Sequence, residues 1–282
     1  MTAAAPAPTY DLATEAGDYP PWEGPPRRTV LICTHMRSGS TLLGEALRAA
    51  GLGTPLEYFH RGFRPSLQAL WNADSLETYL RALYRRRIHP SGVLAVKLFW
   101  TDLEDLAHER APPRYPAAAP HALTLMDADG YRGLFSLVAD LFPNPTFVRL
   151  RRLDRVRHAV SHLAAAQTGV WRAVDGQGPA ARGPAVYDYQ RILGLISLAE
   201  RSHAAWTGFF EAIGEQPYAL TYEQLDRDYE GAVLALLRAL DAPAVAAPPP
   251  RLRLQSDDAT EAMALRFVKE DVRRRPQAGL VS

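Results

Sequence analysis

At 282 residues, with 47% hydrophobic and 22% charged residues, the chain has the length and composition of a globular protein with a substantial buried core. A formal net charge of +1 gives no basis for bulk nucleic-acid binding, which draws on a strong basic excess. One cysteine, Cys33, excludes an intramolecular disulfide or a cysteine-rich metal cluster, and no apolar run approaches the roughly 20 residues that span a bilayer.

Residues 1–26 are rich in Pro and Ala and read as a mobile arm ahead of a domain covering 27–282. They lack a basic region followed by an apolar one, so they do not read as a signal peptide, and a cytoplasmic location is expected. The apolar run Val30–Cys33 predicts a strand, with Cys33 a small buried core residue within it. A polar loop, His35-Met36-Arg37-Ser38-Gly39-Ser40-Thr41, leads into a helix pattern from Leu42. Strand, tight loop and helix N-terminus in this order make an anion cradle, because first-turn amides have no intrahelical acceptor and meet the positive end of the dipole. Gly39 lets the backbone close on an anion. Ser38, Ser40 and Thr41 add hydroxyls, and the Arg37 fork suits a phosphate or sulfate. The lysine of G-x-x-x-x-G-K-[ST] is absent, which argues against an ordinary ATP or GTP enzyme.

The helix is expected to end at Gly51 in a left-handed cap, with Gly53-Thr54-Pro55-Leu56-Glu57-Tyr58-Phe59-His60 extended beyond it. Glu57 stands among apolar neighbours that would desolvate it, although a solvated loop is the ordinary fate of glutamate. His60 is a second candidate base. Arg85-Arg86-Arg87 read as a solvated helix end. A second strand covers Val93–Leu98, and Trp100 beyond it is a candidate wall of an acceptor cleft, as are Gln167 and Trp171.

A third strand, Thr146–Leu150, ends in a burst of positive charge, and Asp154–Ala166 reads as a helix capped by Asp154 with Val156, Val160 and Leu163 on its apolar face. Arg152 and Ser161, nine positions apart, suit a second, terminal phosphate. His158 and His162 share a helix face without the glutamate of a zinc motif, so no metal is expected. The passage 175–184 reads as a mobile loop, Tyr218–Thr221 as a fourth strand, and Ala242–Pro250 as a linker into a charged helical tail. Strands alternating with helical patterns imply a single-domain α/β fold with a P-loop-type parallel sheet. Ligands in such sheets gather at the carboxyl ends of the strands.

RSGST after the first strand, with an arginine ending a later strand before D-x-x-x-x-A-V-S, resembles the sulfotransferase superfamily. More narrowly the chain is similar to the bacterial trehalose 2-sulfotransferase family, in RSGSTLL (37–43), GTPLEYF (53–59), VKLFW (96–100), RLDRVRHAVS (152–161), QTGVW (167–171) and TYEQL (221–225). That resemblance implies sulfuryl transfer from 3′-phosphoadenosine 5′-phosphosulfate, leaving adenosine 3′,5′-bisphosphate, to a hydroxyl of a carbohydrate or sugar-containing metabolite. It implies that Arg37, Ser38, Gly39, Ser40, Thr41 and Leu42 hold the 5′-phosphosulfate, and Arg152 and Ser161 the 3′-phosphate. The superfamily's histidine two positions after a lysine is absent: Lys97-Leu98-Phe99 puts phenylalanine there. By the same resemblance Glu57 becomes the general base, and Pro55, Glu57, Tyr58, Phe59 and His60 an acceptor-binding segment. A homodimer is compatible with the pattern. The alternatives are a non-sugar or lipid hydroxyl acceptor, an atypical P-loop kinase, and a non-catalytic nucleotide-binding protein.

Overall fold

Four parallel strands, β1 (Arg28–Thr34), β2 (Val93–Phe99), β3 (Pro145–Arg151) and β4 (Tyr218–Thr221), form one sheet in the order β2-β1-β3-β4. The computed structural model describes residues 13–115, 125–171, 183–242 and 257–274. Among these residues ten helices connect or flank the strands: α1 (Ser40–Ala49), α2 (Arg64–Trp71), α3 (Leu76–Arg87), α4 (Trp100–Arg110), α5 (Ala128–Leu141), α6 (Arg155–Thr168), α7 (Tyr189–Ile213), α8 (Tyr222–Arg227), α9 (Tyr229–Ala239) and α10 (Asp258–Arg274). The four strands are those that the apolar runs predict, each with the same centre. β1 runs three residues longer, β2 one and β3 two, because the ladder hydrogen bonds continue into the flanking residues.

The described residues fall into two compact units, one holding residues up to 151 and 201–242, the other 152–200 and 257–274. In the first unit β1 is one of two inner strands and pairs with β2 on one side and β3 on the other. The chain passes from β1 outward to β2 and then returns across β1 to β3. The order therefore reverses beside β1, and the crevice outside the carboxyl ends of β1 and β3 is where such sheets take ligands. One face of the sheet, through Val30, Ile32, Val148 and Leu150, packs on Leu43 and Leu47 of α1 and on Val233, Leu236 and Leu237 of α9. The other carries aromatic layers, with Phe147 against Phe209 and Phe210 of α7 at 6.1 and 5.3 Å between ring centroids. Cys33 is buried in β1, as expected of a core thiol. Burial drives its pKa well above the ordinary value, and the nearby Arg149 offsets this only in part.

In the second unit α6, the first part of α7 and α10 share a small apolar core of Val160, Leu163, Ile192, Ile196, Ala264 and Phe267. Asp154 caps α6 as its position predicts: its side chain accepts the Arg157 amide at 2.9 Å.

Residues 13–26, expected within the mobile arm, are held against α3 in the first unit. The Tyr19 and Trp22 amides donate to the carbonyls of Arg86 and Arg85, at 2.7 and 3.0 Å. This corrects the solvated helix end expected at Arg85–Arg87 at its last residue, while Arg85 is exposed as expected. Arg87 is fully buried, with Asp18 at 2.9 Å, the Thr14 carbonyl at 2.7 Å, and the rings of Tyr58 and Trp71 beneath its guanidinium. A buried arginine needs such a partner set, and the partners come from a segment more than sixty positions away. Residues 1–12 of the expected arm, 175–182 of the expected loop, and 243–250 of the expected linker lie outside the described residues.

Candidate active site

The anion cradle is built at the end of β1. Thr34 donates its hydroxyl to the Leu150 carbonyl at 2.8 Å, tying the loop's root to β3. Arg37 and Gly39 both adopt positive φ, 68° and 85°. The left-handed region costs a non-glycine residue of order 1 kcal/mol or more, and such strain concentrates where a backbone is shaped for a ligand. At Gly39 a Cβ would lie 2.9 Å from the Tyr222 ring, so both the conformation and the close approach require glycine. Gly39 is also the N-cap of α1 and offers no side chain to the first-turn amides of Ser40, Thr41 and Leu42. The Ser38 hydroxyl is buried and has no hydrogen-bond partner among the described residues. An orphaned buried hydroxyl in a loop of this shape fits a loop made to hold an anion.

The segment 52–60 crosses behind the loop. Gly51 takes φ 73° after α1, the left-handed helix end expected there. Gly53, at φ 88°, lets the chain approach β2 so closely that a Cβ would sit 3.0 Å from the Ala95 amide. Pro55 packs on Gly44 of α1, at 3.5 Å from where its Cβ would be. The segment then adds a short parallel pairing to β2: Leu56 bridges Val96, and the Lys97 amide donates to the Leu56 carbonyl at 3.0 Å. This pairing directs the Glu57 side chain inward. Glu57 is 6% exposed, and the Lys97 ammonium, fully buried, donates to its Oε1 at 3.0 Å. The same ammonium lies 3.4 Å from Thr41 Oγ1, on the first turn of α1. One lysine therefore joins the carboxylate to the anion loop.

Lys97 is the candidate functional residue that sequence reasoning passed over. Its signal is a lysine inside a strand buried at every position, since a lone buried ammonium is expelled unless a counter-charge meets it. Asp102, at the start of α4, is a second such residue. Burial raises its pKa well above the usual carboxylate range, with Glu57 and Asp105 adding to this, while the Phe99 amide at 3.3 Å opposes it. His60 sits half-buried at the turn after Glu57. Its ring meets the edge of Phe99 at 5.6 Å, and its Nδ1 accepts the Gly62 amide. Paired forks fix that turn from outside: Arg61 to Asp105, and Arg64 to Glu109, each bidentate.

Tyr58 and Phe59 are buried core residues flanking Glu57. Trp100 also belongs to the core, where a cleft wall was expected. It is fully buried, 5.0 Å from Trp206 and 5.8 Å from Tyr131, because the junction of β2 and α4 turns its ring into the aromatic layer. The second unit carries the remaining candidates. Arg152 precedes the Asp154 cap, and Ser161 follows about two turns into α6. Gln167 spends both ends of its amide on the Val186 backbone, at 2.6 and 3.1 Å, and Trp171 is 38% exposed with its ring edge toward His162. His158 and His162 are both buried.

A carboxylate paired with an ammonium, beside a glycine-closed loop at a helix N-terminus, can accept a proton next to a bound anion. A family model described as Stf0 sulphotransferase matches residues 29–270. The chain is 29% identical over 269 residues to trehalose 2-sulfotransferase of Mycobacterium tuberculosis (strain ATCC 35801 / TMC 107 / Erdman), covering 86% of this chain and 95% of that one. The corresponding enzyme of Mycolicibacterium smegmatis is 29% identical over 255 residues, covering 85% and 94%. Among solved structures, the sulfotransferase domain from the curacin biosynthetic pathway matches at 14% identity and a TM-score of 0.43, over 83% of this chain and 79% of that one.

Proposed function

The chain belongs to the Stf0 sulphotransferase family, and from that premise we propose that it transfers a sulfuryl group from 3′-phosphoadenosine 5′-phosphosulfate to a hydroxyl of a carbohydrate, with Glu57 as general base. The relatives named for trehalose sulfation support a sugar acceptor. The observation that carries the reading is the bridge from Glu57 through Lys97 to Thr41, which sets a proton acceptor beside an anion loop.

Sulfuryl transfer resembles phosphoryl transfer in asking mainly for positioning and for positive charge around the transferring group. Arg37 and the first-turn amides of α1 would hold the 5′-phosphosulfate, with the buried Ser38 hydroxyl turned to one of its oxygens. Arg152 and Ser161 would bind the 3′-phosphate. Glu57 takes the proton of the acceptor hydroxyl as that oxygen bonds to sulfur, and the bond from sulfur to the bridging oxygen breaks. Arg37 and the α1 amides take up the charge left on the leaving phosphate. Once Glu57 is protonated, the Lys97 ammonium has lost its counter-charge, and its remaining attraction is toward the anion loop at Thr41. Residues 27–282 act as one catalytic domain in this reading, and the single buried thiol is compatible with the cytoplasm.

Calorimetry with adenosine 3′,5′-bisphosphate and adenosine 5′-monophosphate tests the donor assignment. The bisphosphate is expected to bind much more tightly, and Arg152→Ala to weaken it by about 1.5–3 kcal/mol, the worth of a charge-assisted hydrogen bond. Equal affinity for the two nucleotides would refute it. Sulfate transfer across a panel of hydroxylated sugars and lipids then identifies the acceptor class.

A further inference from the structure

The backbone on either side of Glu57 is pinned from two directions. On the sheet side the Leu56 carbonyl accepts the Lys97 amide at 3.0 Å, and on the far side the Tyr58 carbonyl accepts the Tyr79 hydroxyl at 2.6 Å. Tyr58 in turn gives its own hydroxyl to the Thr54 carbonyl at 2.7 Å, closing a loop of hydrogen bonds around residues 54–58. Behind this loop, beside Tyr79 and Arg87 of α3, stand residues of the segment 14–19. The Thr54 hydroxyl donates to the Tyr19 hydroxyl at 2.8 Å, and the Tyr19 ring is itself held edge-on against His89 at 5.0 Å. The Tyr58 ring lies under the Arg87 guanidinium, whose charge is met by Asp18 at 2.9 Å and by the Thr14 carbonyl. The Asp18–Arg87 pair is held by charge more than by a linear hydrogen bond. Burial raises the Tyr58 phenol well above its ordinary pKa, so it stays a neutral donor.

We propose that the N-terminal segment is part of the catalytic apparatus: Tyr19 and Asp18 are positioning residues that hold the 54–58 loop, and with it Glu57, in register against Lys97. The inference rests on the reading of Glu57 as the base. A fully buried arginine on α3 is retained there because it transmits the Asp18 contact to the ring next to the base. Neither Tyr19 nor Asp18 touches the anion loop in the contacts described above, so their loss should leave donor binding in place. A base displaced by a fraction of an ångström loses rate without losing substrate, because proton transfer depends steeply on geometry.

The test uses the full chain with Tyr19→Phe, Asp18→Asn and Asp18→Glu, assayed on whichever sugar of the hydroxylated panel turns over fastest. Tyr19→Phe is expected to lower kcat about five- to twentyfold and Asp18→Asn by at least as much. The Kd for adenosine 3′,5′-bisphosphate should stay within about twofold of wild type, and Asp18→Glu should recover most of the rate. Hydrogen exchange of the Lys97 amide, bonded to Leu56, should speed up in Tyr19→Phe while the amides of β1 keep their protection. If the segment is merely structural, Tm and donor affinity will fall together and kcat per folded molecule will stay at the wild-type value, which overturns the proposal. An inactive Glu57→Gln beside fully active Tyr19→Phe and Asp18→Asn overturns the positioning role alone. A fully active Glu57→Gln overturns the base assignment and this inference with it.

Discussion

Glu57 and Lys97 are two ions taken out of water at a distance of 3.0 Å, and each makes the other's burial tolerable. Breaking such a pair from one side leaves an uncompensated buried charge, at a cost of about 3–5 kcal/mol, whereas replacing both partners by neutral groups costs far less. Lys97→Met alone is therefore expected to lower Tm severely, and Lys97→Met with Glu57→Gln to regain most of the loss. Thermal melts of the two singles and the double measure this coupling, and additive losses would show that the pair is not the unit of stability. In kinetics the two changes should separate. Glu57→Gln keeps its hydrogen-bonding shape, so donor affinity should survive while kcat falls about 10²–10⁴-fold, the range for a lost general base. His60→Ala should be milder, since His60 meets Phe99 and Gly62 and lies at the rim of the turn. An inactive His60→Ala beside a nearly wild-type Glu57→Gln would transfer the role of base to His60.

At the scale of the element, α6 shows how a candidate phosphate-binding helix is braced. Arg157 gives one nitrogen to the capping Asp154 at 2.6 Å and forks its other two onto Glu261 of α10. Burial would raise the Asp154 pKa, but the Arg157 amide and guanidinium, with Arg152, outweigh it and hold the carboxyl below its usual 3.8. Arg157 likewise lowers Glu261 from 4.5. Both acids have folded pKa values below their unfolded ones, so their contribution is present above the unfolded values and disappears as pH falls through the folded ones. Docking of α10 on α6 should hold from neutral pH down to about 4.5 and weaken progressively below it. Hydrogen exchange of α10 amides against pH is the measurement. Arg157→Met should remove the share of the acid dependence carried by Asp154 and Glu261, leaving the Tyr187–Glu270 bond, with its own lowered carboxyl, and the apolar contacts of Ala264 and Phe267 with the α6 core. An unchanged acid profile in that variant would place the titrating group elsewhere.

At the scale of the molecule, what was legible in the sequence is what local chemistry writes. Four apolar runs gave four strands, Asp154 capped its helix, and the Arg37–Thr41 loop closed on Gly39, because each depends on neighbours a few positions away. The exceptions all depend on distant partners. Arg87 looks like a solvated residue until Asp18 is placed beside it, and Trp100 looks like a sugar platform until Trp206 covers it. Nothing near Lys97 in the chain announces Glu57, forty positions earlier. Within the candidate site, the candidate residues were readable from the resemblance, whereas the link between Glu57 and the Arg37–Thr41 loop required the β2 pairing of Leu56.

Cys33 turns the sheet's architecture into a clock. It is the chain's one thiol, it lies in a strand flanked on both sides, and burial keeps it protonated. Alkylation proceeds by attack of the thiolate on the reagent, so modification must wait until β1 separates from its neighbours. The labelling rate of the native protein then reads the opening free energy of the core without a denaturant. A donor analogue that binds only the folded chain should slow that clock by the factor 1 + [L]/Kd, about 100-fold at a concentration 100 times Kd. Mass spectrometry of a single alkylated peptide would thus report donor affinity before any acceptor is identified. Labelling that ignores saturating adenosine 3′,5′-bisphosphate would mean that β1 opens locally, with the anion loop still closed.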